Sequence, residues 1–331
     1  MRQFAVLIAF LLALLPVYGW AETANSVESK AEKLLAESES LLSSKGSIEL
    51  AYDKAKAAIK LLERPGQKTN ALLGNALHIA GRIAMHRGDL LGAKSLFERA
   101  YKTRELALGR HHHLVAHSVN NLAVIYKNQG DLKTARELFE KALAIYRTAL
   151  GKTHFNTALA INNIGAIHED RGEFKDALDL YTQALKIFQE TQGQNSPHVA
   201  ATLLNISNVF LGLGNPKQAL KKMKQKLAVD ESNQGDLSAD VFATLSRLAE
   251  LHLVLEEHDP AIAVYRTLLG RQERALGPES GDVGFTLNDL LNVYIKKGEY
   301  DRALALGKRS LQIFQKIQIG TQFYIVKTVV L

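Results

Sequence analysis

The feature that most constrains this chain is a repeat with a period of 42 residues. Glycines recur at this spacing or its multiple, and only position 256 carries a glutamate instead: Gly46, Gly88, Gly130, Gly172, Gly214 and Gly298. An alanine follows each of these positions five residues later: Ala51, Ala93, Ala135, Ala177, Ala219, Ala261 and Ala303. Such a chain consists of copies of one small unit, which stack to bury each other's apolar faces.

Each copy contains two helices, because a second glycine recurs with the same period: Gly109, Gly151, Gly193, Gly235 and Gly277. In residues 120–151 and 162–193, apolar residues recur every three or four positions, as in amphipathic helices. We name the two helices of a copy helix A and helix B. Glycine is expected to end helix A, and Asp89, Asp131 or Asn215 to cap helix B. The recurring alanine then lets helix B approach helix A closely.

Composition agrees with an all-α chain and excludes several classes of function. Hydrophobic residues make up 47% and charged residues 23%, which is typical of folded proteins. The chain has no cysteine, so thiolate catalysis, disulfides and cysteine-based metal sites are excluded. The net charge of +7 favours acidic partners without identifying one. No combination of nucleophile, base and oxyanion donor is present, and we expect neither an enzyme nor a cofactor.

The repeat resembles the tetratricopeptide repeat. One copy matches its pattern in order, with Leu122, Ala123, Tyr126, Gly130, Ala135, Phe139 and Ala142. The next copy has Ile164, Gly165, His168, Gly172, Ala177, Tyr181 and Ala184. The period, the paired asparagines and the Leu-Gly linkers look most like the subclass of kinesin light chains. The resemblance implies a right-handed superhelical solenoid of about seven hairpins, whose helices A line a concave surface.

We predict four segments: a signal peptide (1–21), an N-terminal cap with a divergent first repeat (22–77), six repeats (78–329) and the start of a further helix (330–331). Four later residues depart from the repeat pattern and predict looser packing: Met223, Lys226, Glu256 and Gly307. The apolar residues between Tyr324 and Leu331 leave three alternatives open, namely folding back, docking on a partner or truncation.

The first residues have the pattern of a secretory leader. Arg2 precedes an apolar run from Phe4 to Leu15, Pro16 breaks it, and Gly19 and Ala21 occupy the positions that signal peptidase recognises. Cleavage before Glu22 would leave no integral membrane segment and place the protein across the inner membrane, in a bacterial periplasm. The alternative is an uncleaved anchor, because this stretch just reaches the length of a membrane span.

Candidate binding residues follow from the turn of 100° per residue in a helix. With Val119, Leu122 and Tyr126 buried, the open face of that helix A is centred on His117, Asn120, Val124, Lys127 and Asn128. In the preceding copy these positions give His78, Arg82 and His86. Because amides bond a peptide main chain regardless of its sequence, we predict peptide binding by Asn120, Asn121, Lys127, Asn162, Asn163, Asn205, Asn208, Asn288 and Asn292.

Each of these assignments has a structural alternative. The paired asparagines are also suited to joining neighbouring helices. Apolar residues at the same positions either anchor ligand side chains or fill space between helices: Leu204, Leu211, Leu253, Phe285 and Ile295. A clamp for a terminal carboxylate needs Lys or Arg at these positions in neighbouring units. Only Arg82 and Lys127 approach this pattern, so we do not predict such a clamp. His111, His112, His113 and His117 have metal-ligand spacing, but we favour solvated histidines and predict no metal.

The function that the sequence favours is a scaffold for a protein or peptide partner, with nucleic acid unlikely. A first alternative is an anionic surface or polymer, bound through the basic stretch of Lys217, Lys221, Lys222, Lys224 and Lys226. A second is self-assembly through the apolar C-terminal edge, giving a homo-oligomer. The identity of the partner does not follow from the sequence.

Overall fold

The computed structural model describes residues 26–44, 47–63 and 70–317, and these residues form helices and turns without a strand. Helices A have odd numbers and helices B even ones. The helices are α1 (26–43), α2 (Ile48–Leu62), α3 (Ala71–His86), α4 (Leu90–Leu108), α5 (His113–Asn128), α6 (Leu132–Leu150), α7 (Phe155–Asp170), α8 (Phe174–Gln192), α9 (Pro197–Gly212), α10 (Pro216–Gln234), α11 (Ala239–Val254), α12 (His258–Leu276), α13 (Gly281–Lys296) and α14 (Tyr300–Ile317). The predicted all-α repeat fold is confirmed.

The chain divides into two compact units, Met1–Ala160 and Ile161–Leu331. In unit 1 the closest contacts join consecutive helices from α2 to α6, and in unit 2 they join consecutive helices from α8 to α14. Helices B begin every 42 residues, at Leu90, Leu132, Phe174, Pro216, His258 and Tyr300. Within each unit, therefore, every hairpin depends mainly on its neighbours in sequence.

The junction between helices A and B has the predicted geometry. Gly88, Gly130 and Gly214 have φ angles of 77°, 81° and 70°, which an amino acid with a Cβ rarely adopts. The following residue caps helix B: Asp131 Oδ1, for example, accepts from the backbone N of Thr134 at 3.1 Å. Asp89 and Asn215 do the same for α4 and α10. These junctions are confirmed.

The recurring alanine is the contact point of each hairpin. Ala93, Ala135, Ala177, Ala219 and Ala261 all have an exposed fraction of 0%. Aromatic side chains of helix B, such as Phe97 and Tyr181, fill the remaining space and are also completely buried. A side chain larger than alanine has no room at these positions.

Three junctions between consecutive hairpins contain a buried polar pair that the sequence analysis did not predict. Each pair joins a helix B residue to a residue 14 positions later on the next helix A. Thr244 Oγ1 donates to Asp230 Oδ2 at 2.6 Å, and Lys226 Nζ donates to the same carboxylate at 2.6 Å. The other pairs are Arg104–Ser118 and Gln272–Thr286. Since the partners lie on different helices, these bonds fix the register of neighbouring hairpins.

The structure adds two details to the predicted array. α3 begins at Ala71, so residues 77 and 78, between which the predicted cap and repeats meet, lie within one helix. Met223, one of the residues that depart from the repeat pattern, is 1% exposed in the core of unit 2. The predicted signal peptide and the apolar residues from Tyr324 to Leu331 lie outside the described residues. No described helix combines the length and hydropathy that a membrane span requires.

Candidate functional site

The predicted residues of unit 1 lie on α5. Asn120, Asn121 and Lys127 are all half-buried. Asn121 joins two helices A, because its Nδ2 lies 3.4 Å from Nε2 of His78 on α3. This contact agrees with the structural alternative for the second asparagine of the pair. Together with the exposed Arg82, these residues form what we call the unit 1 surface: Arg82, His117, Asn120, Asn121, Val124 and Lys127.

The predicted residues of unit 2 lie on α7, α9 and α13. Asn292 is exposed, whereas the other five are half-buried: Asn162, Asn163, Asn205, Asn208 and Asn288. Asn162 Oδ1 accepts from Thr202 Oγ1 at 3.3 Å, so this amide also joins neighbouring helices A. We call these six residues the unit 2 amides.

The apolar residues at the same positions are mostly structural. Four of them are half-buried against the core of α10 to α14: Leu204, Leu211, Leu253 and Ile295. This agrees with the alternative that these residues fill space between helices. Phe285 differs, because 41% of its surface is exposed while one face contacts the ring of Phe314 at 5.1 Å between centroids. An exposed aromatic beside an asparagine is suited to anchor an apolar side chain of a ligand.

His78 was predicted to lie on the open face, and this is wrong. It is 8% exposed because it packs edge-on against Phe97 and lies beside His117. The polar residues of the two helices A converge below the surface on Arg104 of α4, which is 2% exposed. Arg104 donates to Ser118 Oγ, to the backbone oxygen of Leu114 and to Asn75 Oδ1, each at 2.9 Å. We name His78, Arg104, His113 and His117 the histidine–arginine cluster.

Burial shifts the titration of this cluster. It lowers the pKa of His117 from 6.5 to about 4, and the positive charge of Arg104 contributes to the shift. The pKa of His78 is lowered well below its usual value by the same two causes, burial first. Burial also lowers the pKa of Arg104 to about 10. His113, which begins α5 instead of lying in a linker, has a lowered pKa through burial and through His112.

Two other histidines bond a carboxylate, a pattern that the sequence analysis missed. His168 Nδ1 lies 2.6 Å from Glu173 Oε2, and His252 Nδ1 lies 2.6 Å from Glu257 Oε2. Both histidines stand where two other repeats have Tyr126 and Tyr294, and both glutamates stand at the cap position of helix B. The equal spacing of five residues would have revealed them.

A metal ion does not explain this pattern. In unit 2 the donor atoms of His168, Glu173 and Asp176 lie within 4.8 Å of one another. The repeat of His252 and Glu257 has Pro260 in the place of Asp176, yet the pair keeps the same geometry. We therefore interpret both pairs as structural hydrogen bonds that hold helix A to helix B of the same hairpin.

The basic stretch of α10 is divided between two surroundings. Lys217, Lys221 and Lys224 are exposed on one face of the helix. Lys222 is half-buried, and Lys226 turns inward to bond Asp230 and Thr244. The predicted basic face therefore consists of three lysines, which we call the α10 lysines.

Comparison with known proteins identifies the family. The sequence pattern of the tetratricopeptide repeat matches residues 72–148, 116–190, 156–232 and 240–316, which is most of the chain. The chain belongs to the tetratricopeptide-repeat family. A comparison with curated proteins gave no match.

Solved structures share the fold at low sequence identity. BtubC (BKLC) from P. vanneervenii is 21% identical with a TM-score of 0.58, over 70% of this chain and 91% of that one. A putative kinesin light chain of Podosopora anserina with TPR-like repeats is 20% identical with a TM-score of 0.53, over 61% and 95%. A Rap protein complexed with Competence and Sporulation Factor is 14% identical with a TM-score of 0.51, over 93% and 80%. These likenesses support the repeat fold.

Proposed function

We propose that this tetratricopeptide-repeat protein is an exported, non-enzymatic scaffold that binds a peptide or a segment of a partner protein through its helices A. Proteins of this family are generally scaffolds for protein–protein interaction. The observation that carries the proposal is the recurrence of amide side chains on three of the four helices A from α7 to α13, namely α7, α9 and α13. Each amide offers a donor and an acceptor, which suits the main chain of an extended segment.

Some of the predicted amides already bond a neighbouring helix, and others do not. Asn162 already bonds Thr202, and Asn121 lies against His78. Asn208 and Asn292 make no such bond to a neighbouring helix among the described residues, and Asn292 is the most accessible of the predicted residues. We therefore expect Asn208 and Asn292 to contribute more to partner binding than Asn162.

The test is chemical cross-linking of the full chain in its own cells, followed by purification and identification of the attached proteins. The Asn208→Ala/Asn292→Ala variant should recover the partner at least about tenfold less well, because two lost hydrogen bonds are worth roughly 1 kcal/mol each. Asn233→Ala, on the exposed face of helix B α10, is the matched control. Equal recovery with all three proteins would refute the binding surface.

Export is tested separately. Cell fractionation should find the protein outside the cytoplasm, and intact-mass measurement should show a chain that begins at Glu22. A chain that retains Phe4 to Leu15 and sediments with membranes would support the uncleaved anchor instead.

The α10 lysines favour a second candidate, binding to an anionic surface or polymer. Three lysines on one exposed helix face have no carboxylate partner among the ion pairs of the described residues. Sedimentation with vesicles of anionic lipid should then fall steeply between 50 and 300 mM salt, by roughly tenfold or more. Lys217→Gln/Lys221→Gln/Lys224→Gln should abolish it, whereas Lys175→Gln on α8 should not.

The last hairpin favours a third candidate, self-assembly. An apolar cavity of about 260 Å³ lies between α13 and α14, lined in part by Ile295, Leu304 and Leu311. One repeat earlier, the equivalent residues Leu253, Ile262 and Leu269 share a core cluster with residues of α13. A second copy of this chain would cover the cavity as α13 covers the equivalent residues one repeat earlier. Light scattering should then show a dimer that Leu304→Glu dissociates and that Leu106→Glu, an exposed leucine of α4, leaves intact.

A further inference from the structure

The histidine–arginine cluster holds a positive charge below the unit 1 surface, and no carboxylate of the described residues bonds it. All the bonds of Arg104 go to neutral acceptors on α3 and α5, and its Nε has no partner. His78 Nδ1 is likewise buried without a partner. Buried charges are normally paired with opposite charges, so a second positive charge at this place is costly.

Two hydrogen bonds connect this cluster to the helices A around it. Asn121 Nδ2 of α5 faces Nε2 of His78 on α3 at 3.4 Å. Asn156 Nδ2, in the first turn of α7, faces Nε2 of His117 on α5 at 3.0 Å. An amide NH₂ only donates, so each imidazole nitrogen must be unprotonated to accept. In this arrangement, both of these hydrogen bonds between helices A therefore require neutral histidines.

The other charged groups around the cluster do not compensate a proton. Arg82 of α3 adds positive charge, and His112 stacks on His113 with ring centroids 4.4 Å apart. From α6 the cluster meets Tyr146, a neutral side chain 5.6 Å from His117 between ring centroids. The carboxylate of Glu39 on α1 lies 3.8 Å from Arg82 and is engaged there.

Unit 2 is built differently. Its histidines His168 and His252 each have a glutamate oxygen at 2.6 Å, whereas His198 on α9 stacks on Phe188 and has its pKa lowered by burial. The hydrogen bond between α7 and α9 runs from Thr202 to Asn162, and neither of these side chains is titratable. Acid therefore acts on the two units in different ways.

From this geometry we infer that unit 1 contains an acid-sensitive device. Protons on His78 and His117 break both of these hydrogen bonds and add positive charge next to Arg104. Helices α3 and α5 then loosen, whereas the helices of unit 2 remain packed. If helices A bind a partner, as proposed above, unit 1 then releases its part of that partner at mildly acidic pH. The release rests on the proposed function, whereas the loosening does not.

The direction with pH follows from the titration. The folded pKa of His117 is about 4, below the usual 6.5. The unfolded or opened chain therefore binds more protons at pH values between these two limits. The stability of α3 and α5 is fully present above about pH 6.5 and is lost as the pH falls towards 4.

Hydrogen–deuterium exchange of the ligand-free full chain tests the loosening at pH 7.5 and 5.0, with rates corrected for intrinsic exchange. Protection of α3 and α5 should fall by about tenfold or more, since each unit of pKa difference shifts the opening equilibrium by a factor of ten. Protection of α11 and α13 should change less than about twofold. An equal fall in both units, or none in α3 and α5, would overturn the inference.

Two sets of variants separate this device from general acid unfolding. His78→Gln/His117→Gln removes the two histidines that accept these hydrogen bonds, so most of the pH effect should disappear, whereas His168→Gln/His252→Gln should leave it in place. Asn156→Asp gives His117 a carboxylate like those of unit 2, and the fall in protection of α5 should shrink or reverse. This second variant decides the question if the first does not fold, and an unchanged pH effect in Asn156→Asp would also refute the device. Because no ligand is present, failure of the partner-binding test leaves this result unaffected.

Discussion

At the end of each helix A, one residue must adopt a positive φ angle. Glycine does so in five described copies, from Gly88 to Gly298, with φ between 70° and 81°. Glu256 takes the same conformation at φ 60°, although its Cβ makes it unfavourable. The packing of the repeat therefore imposes a positive φ angle at this position even where the sequence has glutamate instead of glycine.

Glu256→Gly should therefore stabilise unit 2. Relief of the left-handed conformation is worth roughly 1 kcal/mol, after the greater freedom of glycine in the unfolded chain is subtracted. Urea unfolding followed by circular dichroism measures the change. Gly298→Ala is the matched opposite and should destabilise by a similar amount. A loss of stability in Glu256→Gly would show that its side chain contributes more than its backbone costs.

The recurring alanine gives a second prediction at this scale. Ala135 is completely buried between α5 and α6, so Ala135→Leu must push the helices apart. We expect a loss of about 1–3 kcal/mol in the free energy of unfolding, which is typical of overpacked cores. Ala144→Leu, at an exposed position of the same helix, should change it by less than about 0.5 kcal/mol. Equal effects of the two substitutions would contradict the role of the alanine.

At the scale of helices, what could be predicted is what depends on local chemistry. Glycine, the cap residue and the apolar spacing predict the hairpins from α5 onward, because each acts within a few residues. The start of α3 was not placed, since the slot of the second recurring glycine is occupied by Gln67 in this copy and the helix begins after the capping side chain of Asn70. The pairs across junctions, such as Asp230 with Thr244, were missed because they join residues whose proximity only the packing defines.

The buried pair of Lys226 and Asp230 predicts an asymmetric effect. The Asp230 side chain is 5% exposed, and Asp230→Ala would leave the ammonium of Lys226 without its partner. We expect a loss of about 3–5 kcal/mol in the free energy of unfolding. Lys226→Met/Asp230→Leu removes both charges and should cost much less, because no buried charge remains. Denaturant unfolding of the single and double variants measures this, and an equally damaging double variant would contradict it.

Over the whole molecule, the candidate site was harder to predict than the fold. Counting helix turns placed Asn120, Lys127 and Asn292 on accessible or half-accessible positions, as the structure has them. It failed for His78, whose burial depends on Phe97 of the neighbouring helix B and on α5. Which side of a helix faces solvent is set by both neighbours, and a single helical wheel contains neither of them.

The repeat architecture makes a last prediction about how a defect spreads. Leu77 in unit 1 and Leu245 in unit 2 occupy the same position of the repeat, and they are 1% and 3% exposed. Replacing either with Ala should cost about 2–5 kcal/mol, because a cavity forms in the core. Since hairpins depend mainly on their sequence neighbours, each substitution should reduce hydrogen-exchange protection within its own unit and leave the distant helices protected. Leu77→Ala should therefore affect α2 to α5 but not α11 to α14, and Leu245→Ala the reverse. Loss of protection throughout the chain from either substitution would mean that all repeats unfold as one cooperative body.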